Sequence, residues 1–234
     1  MTMKLSPEAL EELGLMPVWR LRTQAPAPAQ SEQPAPEREQ LIAGMDWAAL
    51  QSSVAECRAC ELHKTRQHAV FGVGDAAAGW LFVGEAPGAE EDLRGEPFVG
   101  QAGKLLDNML AAIGLKRGQG VYIANVLKSR PPQNRNPEPA EVRACLPYLR
   151  RQIELIEPKI IVTLGRFAAQ ALLGRDASLA SLRGQVHRYR DIPLVATYHP
   201  AYLLRSLPEK AKAWQDMCLA VSVFEGRLKQ TPVA

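Results

Sequence analysis

The stretch that decides the fold is Trp80-Leu81-Phe82-Val83-Gly84-Glu85-Ala86-Pro87-Gly88. It opens with an uninterrupted apolar run and ends in a glycine and proline loop, which is typical of a strand buried on both faces. Three similar apolar runs follow, at 121–126, 160–165 and 193–197. Segments with helical spacing accompany them, at 101–115, 139–156, 166–173 and 208–229. Strands that alternate with helices predict an α/β fold, a three-layer α/β/α arrangement with a mostly parallel four-stranded central sheet.

Polar residues stand where three of these strands end. Glu85 follows the first strand, Asn125 ends the second, and His199 follows the fourth. Taken singly, each has an ordinary structural interpretation: Glu85 belongs to a surface turn, Asn125 is a turn former, and His199 is a structural histidine. In open parallel sheets, however, ligands bind at the carboxyl ends of the strands. The three positions together therefore indicate a functional site at that edge.

Three motifs in this order resemble the family 4 uracil-DNA glycosylases of bacteria and archaea. The first is Gly84-Glu85-Ala86-Pro87-Gly88 with Glu91-Asp92 and Pro97-Phe98-Val99-Gly100, the second is Ala124-Asn125-Val126-Leu127-Lys128, and the third is His199-Pro200-Ala201-Tyr202-Leu203-Leu204-Arg205. The resemblance covers the chain from about Cys57 to its end. It implies an enzyme of base excision repair that hydrolyses the N-glycosidic bond of uracil in DNA.

The resemblance also implies roles for individual residues. His199 would donate a hydrogen bond to uracil O2 as negative charge builds there, Asn125 would read the O4/N3 edge, and Phe98 would stack on the flipped ring. Gly84 and Gly88 would complete the uracil-binding set. Glu85 and Glu91 are the functional acids that the resemblance favours, with Asp92 as a further candidate, and their individual roles stay open.

Contacts with DNA are expected from two loops. Leu203 and Leu204 would fill the gap left by the flipped base, and Arg205 would bind a phosphate. The second loop is basic, which suits phosphate binding. Its cations are Lys128, Arg130 and Arg135.

The resemblance further implies a [4Fe–4S] cluster, and three cysteines match its ligands: Cys57, Cys60 and Cys145. The fourth ligand position holds Ser129 instead of cysteine. Four alternatives remain open: a serine-ligated cluster, a cluster on three cysteines, a zinc site completed by His63, or an empty site. Cys218 falls outside the pattern, and its apolar neighbours predict a core position.

The N-terminal segment carries a second resemblance. Residues 10–22, which include Leu10, Leu13, Gly14 and Trp19, resemble the N-terminal peptide of the psi subunit of the replicase clamp loader, which docks on the chi subunit. Residues 1–22 are therefore predicted to be a partner-docking peptide, 23–42 a disordered linker rich in proline and alanine, and 43–234 the catalytic domain. The alternative is a non-enzymatic psi-like adaptor on a glycosylase scaffold.

Composition narrows the class of protein. The chain has 234 residues with 47% hydrophobic and 23% charged residues, which suits one folded domain with an appendage. Its polar, acidic start does not resemble a signal peptide, and no apolar run approaches the ~20 residues of a membrane helix. A soluble, cytoplasmic protein is expected. The net charge of +3 permits a nucleic-acid partner without requiring one.

Overall fold

The computed structural model describes residues 37–227, and these residues form alternating helices and strands. The strands are β1 (Val73–Gly74), β2 (Trp80–Gly84), β3 (Val121–Asn125), β4 (Ile160–Leu164), β5 (Val186–Tyr189) and β6 (Ile192–Thr197). The α-helices are α1 (Glu37–Ala43), α2 (Trp47–Ala55), α3 (Ala89–Arg94), α4 (Gln101–Ala112), α5 (Pro139–Ile156), α6 (Arg166–Leu173), α7 (Leu179–Leu182), α8 (Pro200–Leu203) and α9 (Lys210–Phe224). Short 3-10 turns lie at Glu61–Lys64, Pro132–Asn134 and Leu207–Glu209.

The six strands form one sheet in the order β1-β3-β2-β4-β6-β5. The four inner strands run parallel to one another, and both outer strands run antiparallel to their neighbours. Gly84 lies directly opposite Asn125 in this register, and Leu164 lies opposite Thr197. The last residues of the parallel strands therefore meet at one edge of the sheet.

The core lies on both faces of the sheet because successive side chains of a strand point to opposite sides. Leu81 and Val83 pack with residues of α5 and α6 on one face. Trp80 and Phe82 pack with residues of α4 and α9 on the other face. The three-layer α/β/α prediction is confirmed.

The predicted strand number was wrong. The four predicted strands exist and are parallel, but the sheet also has two antiparallel edge strands, so as a whole it is six-stranded and mixed. Strand β1 has only two residues, and β5 is mostly half-exposed or exposed. Neither presents the continuous apolar run by which buried strands are recognised.

The boundary between linker and domain also needs correction. The predicted linker ran to residue 42, yet 37–43 form α1, in which Ile42 is buried against Leu50 and Val54. Helix α2 begins at Trp47, and the Asp46 carboxylate caps it by accepting a hydrogen bond from Ala49 N at 2.8 Å. The predicted docking peptide and the linker up to residue 36 lie outside the described residues.

Two further observations concern the helices. Cys218 was predicted to lie in the core, but it is exposed on α9. Within residues 37–227, no helix combines the length and the apolarity that crossing a membrane requires.

Candidate active site

A cavity of about 400 Å³ opens at the carboxyl edge of the sheet. Six of the residues predicted for uracil binding or catalysis line it: Glu85, Gly88, Glu91, Phe98, Asn125 and His199. Arg205, predicted to bind phosphate, lies at the same cavity together with Tyr202 and Arg135. The fold thus brings together residues that are more than 100 positions apart in the sequence.

Gly84, also predicted for uracil binding, is not among the lining residues, but it adjoins two that are. A Cβ at this position would lie 2.3 Å from Asn125 Oδ1 and 2.6 Å from Phe98 Cζ, so any side chain here would collide with both. Asn125 is buried, and its Oδ1 has no hydrogen-bond partner among the described residues. Because an unpaired buried acceptor is costly, this atom is available to a ligand that donates a hydrogen bond.

Glu91 holds two loops of the site together. Its Oε2 accepts a hydrogen bond from Gly88 N at 3.1 Å, and its Oε1 accepts from Val99 N at 3.0 Å and Gly100 N at 3.1 Å. These three backbone donors lie in the loop after β2 and in the segment that carries Phe98. Glu91 is therefore engaged with the backbone around the cavity.

Phe98 has a left-handed backbone with φ of 56°, although it is not a glycine. Such a conformation costs about 1–3 kcal/mol and persists only where surrounding contacts impose it. The ring is nearly fully buried, and its centroid lies 5.5 Å from that of the His199 ring at an interplanar angle of 31°. The strained backbone thus fixes one aromatic wall of the cavity.

Arg117 braces the Phe98 backbone through its carbonyl groups, a role that the sequence analysis did not identify. Its guanidinium donates to Pro97 O at 2.9 Å and to Phe98 O at 2.8 Å, and its Nε donates to Asp107 at 2.9 Å. Gly103 permits this geometry, because a Cβ there would lie 1.8 Å from Phe98 O. Arg117 lies in a polar loop before β3 and outside the three motifs, so no local pattern marks it.

His199 is fixed in one tautomer. Its Nδ1 accepts a hydrogen bond from Ala201 N at 3.1 Å, which leaves the proton of a neutral imidazole on Nε2. Burial lowers the pKa of His199 to about 4, against an opposing contribution from the Glu91 carboxylate. At neutral pH this side chain is an uncharged hydrogen-bond donor.

Glu85 is the carboxyl group of the site whose charge is least stabilised. Burial raises the pKa of Glu85 to about 7, although the nearby Arg166 guanidinium acts in the opposite direction. A carboxylate with a pKa close to neutral can accept a proton during a reaction. Asp92, the third acidic candidate, is buried outside the cavity lining, where it accepts hydrogen bonds from Gln67 N and His68 N.

Two of the predicted DNA contacts are buried in this structure. Lys128 is only 1% exposed, and its Nζ donates to Phe71 O, Asn125 O and Gln152 Oε1. It supports the strand end that carries Asn125 instead of reaching a phosphate. Leu203 is also only 1% exposed, and its side chain is packed in the interior of the protein.

The other predicted DNA contacts lie at the surface. Leu204 and Arg205 are exposed on the loop after His199, and Tyr202 beside them is 40% exposed. Arg130 donates to Asn134 at 2.8 Å within the basic loop. Arg135 forms two hydrogen bonds with Glu141, so its charge is already neutralised by a neighbouring carboxylate.

The predicted ligands of the iron–sulfur cluster do not form a site that fits one. Ser129 Oγ accepts a hydrogen bond from Arg66 Nη1 at 2.8 Å, and Cys57 Sγ accepts one from Arg38 Nη2 at 3.7 Å. Cys60 and Cys145 are hydrogen-bonded to each other. Across residues 37–227, no three or more His, Cys, Asp or Glu side chains are placed to hold a metal ion.

Comparison of the sequence with known proteins identifies the family to which the chain belongs. The model of the uracil DNA glycosylase superfamily matches residues 71–218, more than half of the chain, and the chain belongs to this superfamily. Its relatives include the type-4 uracil-DNA glycosylase of Archaeoglobus fulgidus, which is 51% identical over 64% of this chain and 79% of that protein. The type-4 enzymes of Pyrobaculum aerophilum (43% identical, 75% and 93% covered) and Thermotoga maritima (44% identical, 65% and 80% covered) are also similar. The predicted family is confirmed.

Proposed function

We propose that this chain hydrolyses the N-glycosidic bond of uracil in DNA, releasing free uracil and leaving an abasic site. The observation that carries the proposal is the unpaired Asn125 Oδ1, which is buried beside the Phe98 ring in a cavity at the carboxyl edge of the sheet. A uracil base that has left the DNA stack offers an N3–H donor to this oxygen and an O4 acceptor to the Asn125 amide.

The bond cleavage needs a group that stabilises negative charge on the leaving base. When the bond from C1′ to N1 breaks, both electrons stay with uracil and charge develops on O2. The Nε2–H of neutral His199 is the donor we assign to this oxygen, because Ala201 N holds the other ring nitrogen. Donors of this kind typically contribute roughly 10²-fold or more to the rate.

The water that attacks C1′ needs a proton acceptor. Glu85 is the group we assign to this step, since its carboxyl lines the cavity and its pKa of about 7 leaves it partly ionised at neutral pH. As the water oxygen bonds to C1′, its proton passes to Glu85. Glu91 acts as a positioning residue in this scheme because its carboxylate already accepts three backbone hydrogen bonds.

Recognition of uracil rests on hydrogen-bond pattern and shape. Cytosine presents a donor at position 4 and an unprotonated N3, so it pairs poorly with the Asn125 carboxamide. Phe98, held in place by Glu91 and Arg117, supplies a flat apolar wall for the ring. Arg205 is exposed at the mouth of the cavity, where we assign it to a DNA phosphate.

Replacing Asn125 tests the recognition step. In Asn125→Asp the donor to O4 is lost, so we expect uracil release to fall at least about tenfold and cytosine to be admitted in its place. The measurement compares release of uracil, cytosine and thymine from otherwise identical oligonucleotides by wild type, Asn125→Asp and Asn125→Ala. Unchanged rates and substrate range in both variants would show that Asn125 does not read the base.

A further inference from the structure

Two tyrosines form a stack at the mouth of the cavity. The rings of Tyr198 and Tyr202 are 5.3 Å apart between centroids, with an interplanar angle of 21°. Tyr202 lines the cavity and is 40% exposed, although large aromatic side chains are usually buried. Neither ring was identified in the sequence analysis as a binding group. We call this pair the tyrosine stack.

The inner member of the tyrosine stack, Tyr198, is held by two neighbouring side chains, those of Arg183 and Glu209. The Arg183 guanidinium lies 5.3 Å from the centre of the Tyr198 ring, and Asp216 holds Arg183 through two contacts of 3.0 Å. The Tyr198 hydroxyl is hydrogen-bonded to Glu209. Because these contacts already restrict Tyr198, the stack loses little further conformational freedom when a ligand packs against it.

The outer member is tied to the candidate catalytic histidine. Tyr202 N donates a hydrogen bond to His199 O at 2.9 Å, which sets the start of helix α8 relative to His199. Both residues also line the cavity, so a strand whose uracil contacts His199 passes close to Tyr202. The next residue, Leu203, is buried, whereas the Tyr202 side chain is exposed and can contact a nucleotide.

We propose that the tyrosine stack is a binding subsite for the nucleobase next to the flipped uracil, with Tyr202 as the contacting ring. The ligand is the flat face of any of the four bases, because stacking on an aromatic ring does not depend on hydrogen-bond pattern. The inference rests on the proposed function, since it places the base relative to uracil in the cavity.

The test measures uracil release from a single-stranded oligonucleotide that holds one uracil. Stacking on one aromatic ring is worth roughly 1–3 kcal/mol per base, so Tyr202→Ala should raise KM about tenfold. Tyr202→Phe keeps the ring and should restore the wild-type KM. Trp214→Ala is the matched control, because Trp214 is an aromatic residue of similar exposure that lines a different groove. Its KM should equal that of wild type.

Two further substrates locate the contact. Each lacks the base of one nucleotide next to the uracil, on the 5′ side or on the 3′ side. With one of these two substrates, the KM of wild type should rise, relative to the intact oligonucleotide, by about as much as Tyr202→Ala raises it. In the Tyr202→Ala variant, removing the same base should raise KM no further. Additive effects on both substrates, an unchanged KM in Tyr202→Ala, or failure of Tyr202→Phe to restore it would overturn the inference.

Failure of the proposed function is recognised separately. If wild type releases no uracil from any substrate, the proposed activity is wrong, and the dissociation constants of the same oligonucleotides, measured by fluorescence anisotropy, take the place of KM. If the dissociation constants of the three variants and of the base-lacking oligonucleotides change in the way expected above for KM, the tyrosine stack is supported as a nucleobase subsite. Equal affinities across the series overturn it.

Discussion

Glu85 combines a partly buried position with a role that requires charge. Its folded-state pKa of about 7 lies above the ordinary value of 4.5, so the folded protein favours the protonated carboxyl. Stability associated with this group is therefore full at low pH and is lost as pH rises from 4.5 through 7. If the ionised form accepts the proton of water, activity follows the opposite course and increases over the pH range below 7.

Replacing Glu85 with glutamine separates these two effects. We expect the rate of uracil release by Glu85→Gln to fall by roughly 10²-fold or more, since an amide accepts no proton at neutral pH. We also expect it to melt at a higher temperature than wild type at pH 8 and at a similar temperature at pH 4.5. Measuring uracil release as a function of pH checks the first expectation, and thermal unfolding at pH 4.5 and pH 8 checks the second. A variant that releases uracil like wild type would remove Glu85 from the mechanism.

Single residues also show the limits of sequence analysis. Asn125 and His199 could be predicted because their motifs are distinctive, and the structure brings both to the cavity. Lys128 and Leu203 occur in the same motifs, yet both are buried. A motif defines residue types along the chain, whereas burial depends on packing against distant residues such as Phe71 and Gln152.

At the scale of elements, the sequence was most informative where hydrophobic patterns are long. The four inner strands and helices α4, α5, α6 and α9 all lie close to their predicted positions. The short edge strands and the one-turn helices have too few residues to establish a period. The brace of Phe98 was not predictable for a different reason, because Arg117 contacts main-chain carbonyls that any sequence provides.

The brace of Phe98 makes a prediction about Arg117. Arg117→Ala removes two hydrogen bonds to a strained segment, so Phe98 should relax and uracil release should fall at least about tenfold in kcat/KM. Arg117→Lys should restore only part of the loss, because an ammonium lacks the planar fork. Arg94→Ala is a suitable control, since Arg94 forms an exposed ion pair with Glu90 on the helix surface.

Combining the Arg117 change with Phe98→Ala distinguishes positioning from general stability. If Arg117 acts through Phe98, the double variant should release uracil no more slowly than Phe98→Ala alone. Rates that fall by the product of the two single effects would show that Arg117 contributes in some other way.

At the scale of the whole molecule, the structure suggests where the catalytic unit begins. Helix α1 packs on the domain through Ile42, and Arg38 Nη1 donates to Ala144 O at 2.9 Å. The docking of residues 1–22 onto a chi subunit stays a prediction. The comparisons with known proteins confirm the predicted glycosylase and give no support to the adaptor alternative.

Removing residues 1–36 tests this boundary. We expect uracil release and the melting temperature to match those of the full chain, because the contacts of α1 are retained. Removing residues 1–43 should lower the melting temperature, since it deletes the buried Ile42 side chain and the Arg38 hydrogen bond. Unfolding of the shorter deletion would place the start of the domain before residue 37.

The most direct test of the central claim is a measurement of free uracil. Purified protein is incubated with an oligonucleotide that contains one uracil, and the released base and the abasic sites are quantified together. We predict equal amounts of both without strand cutting. In His199→Ala, which loses the donor to O2, the rate should be lower by roughly 10²-fold or more. No free uracil from the wild-type protein, or wild-type turnover in His199→Ala, would contradict the account.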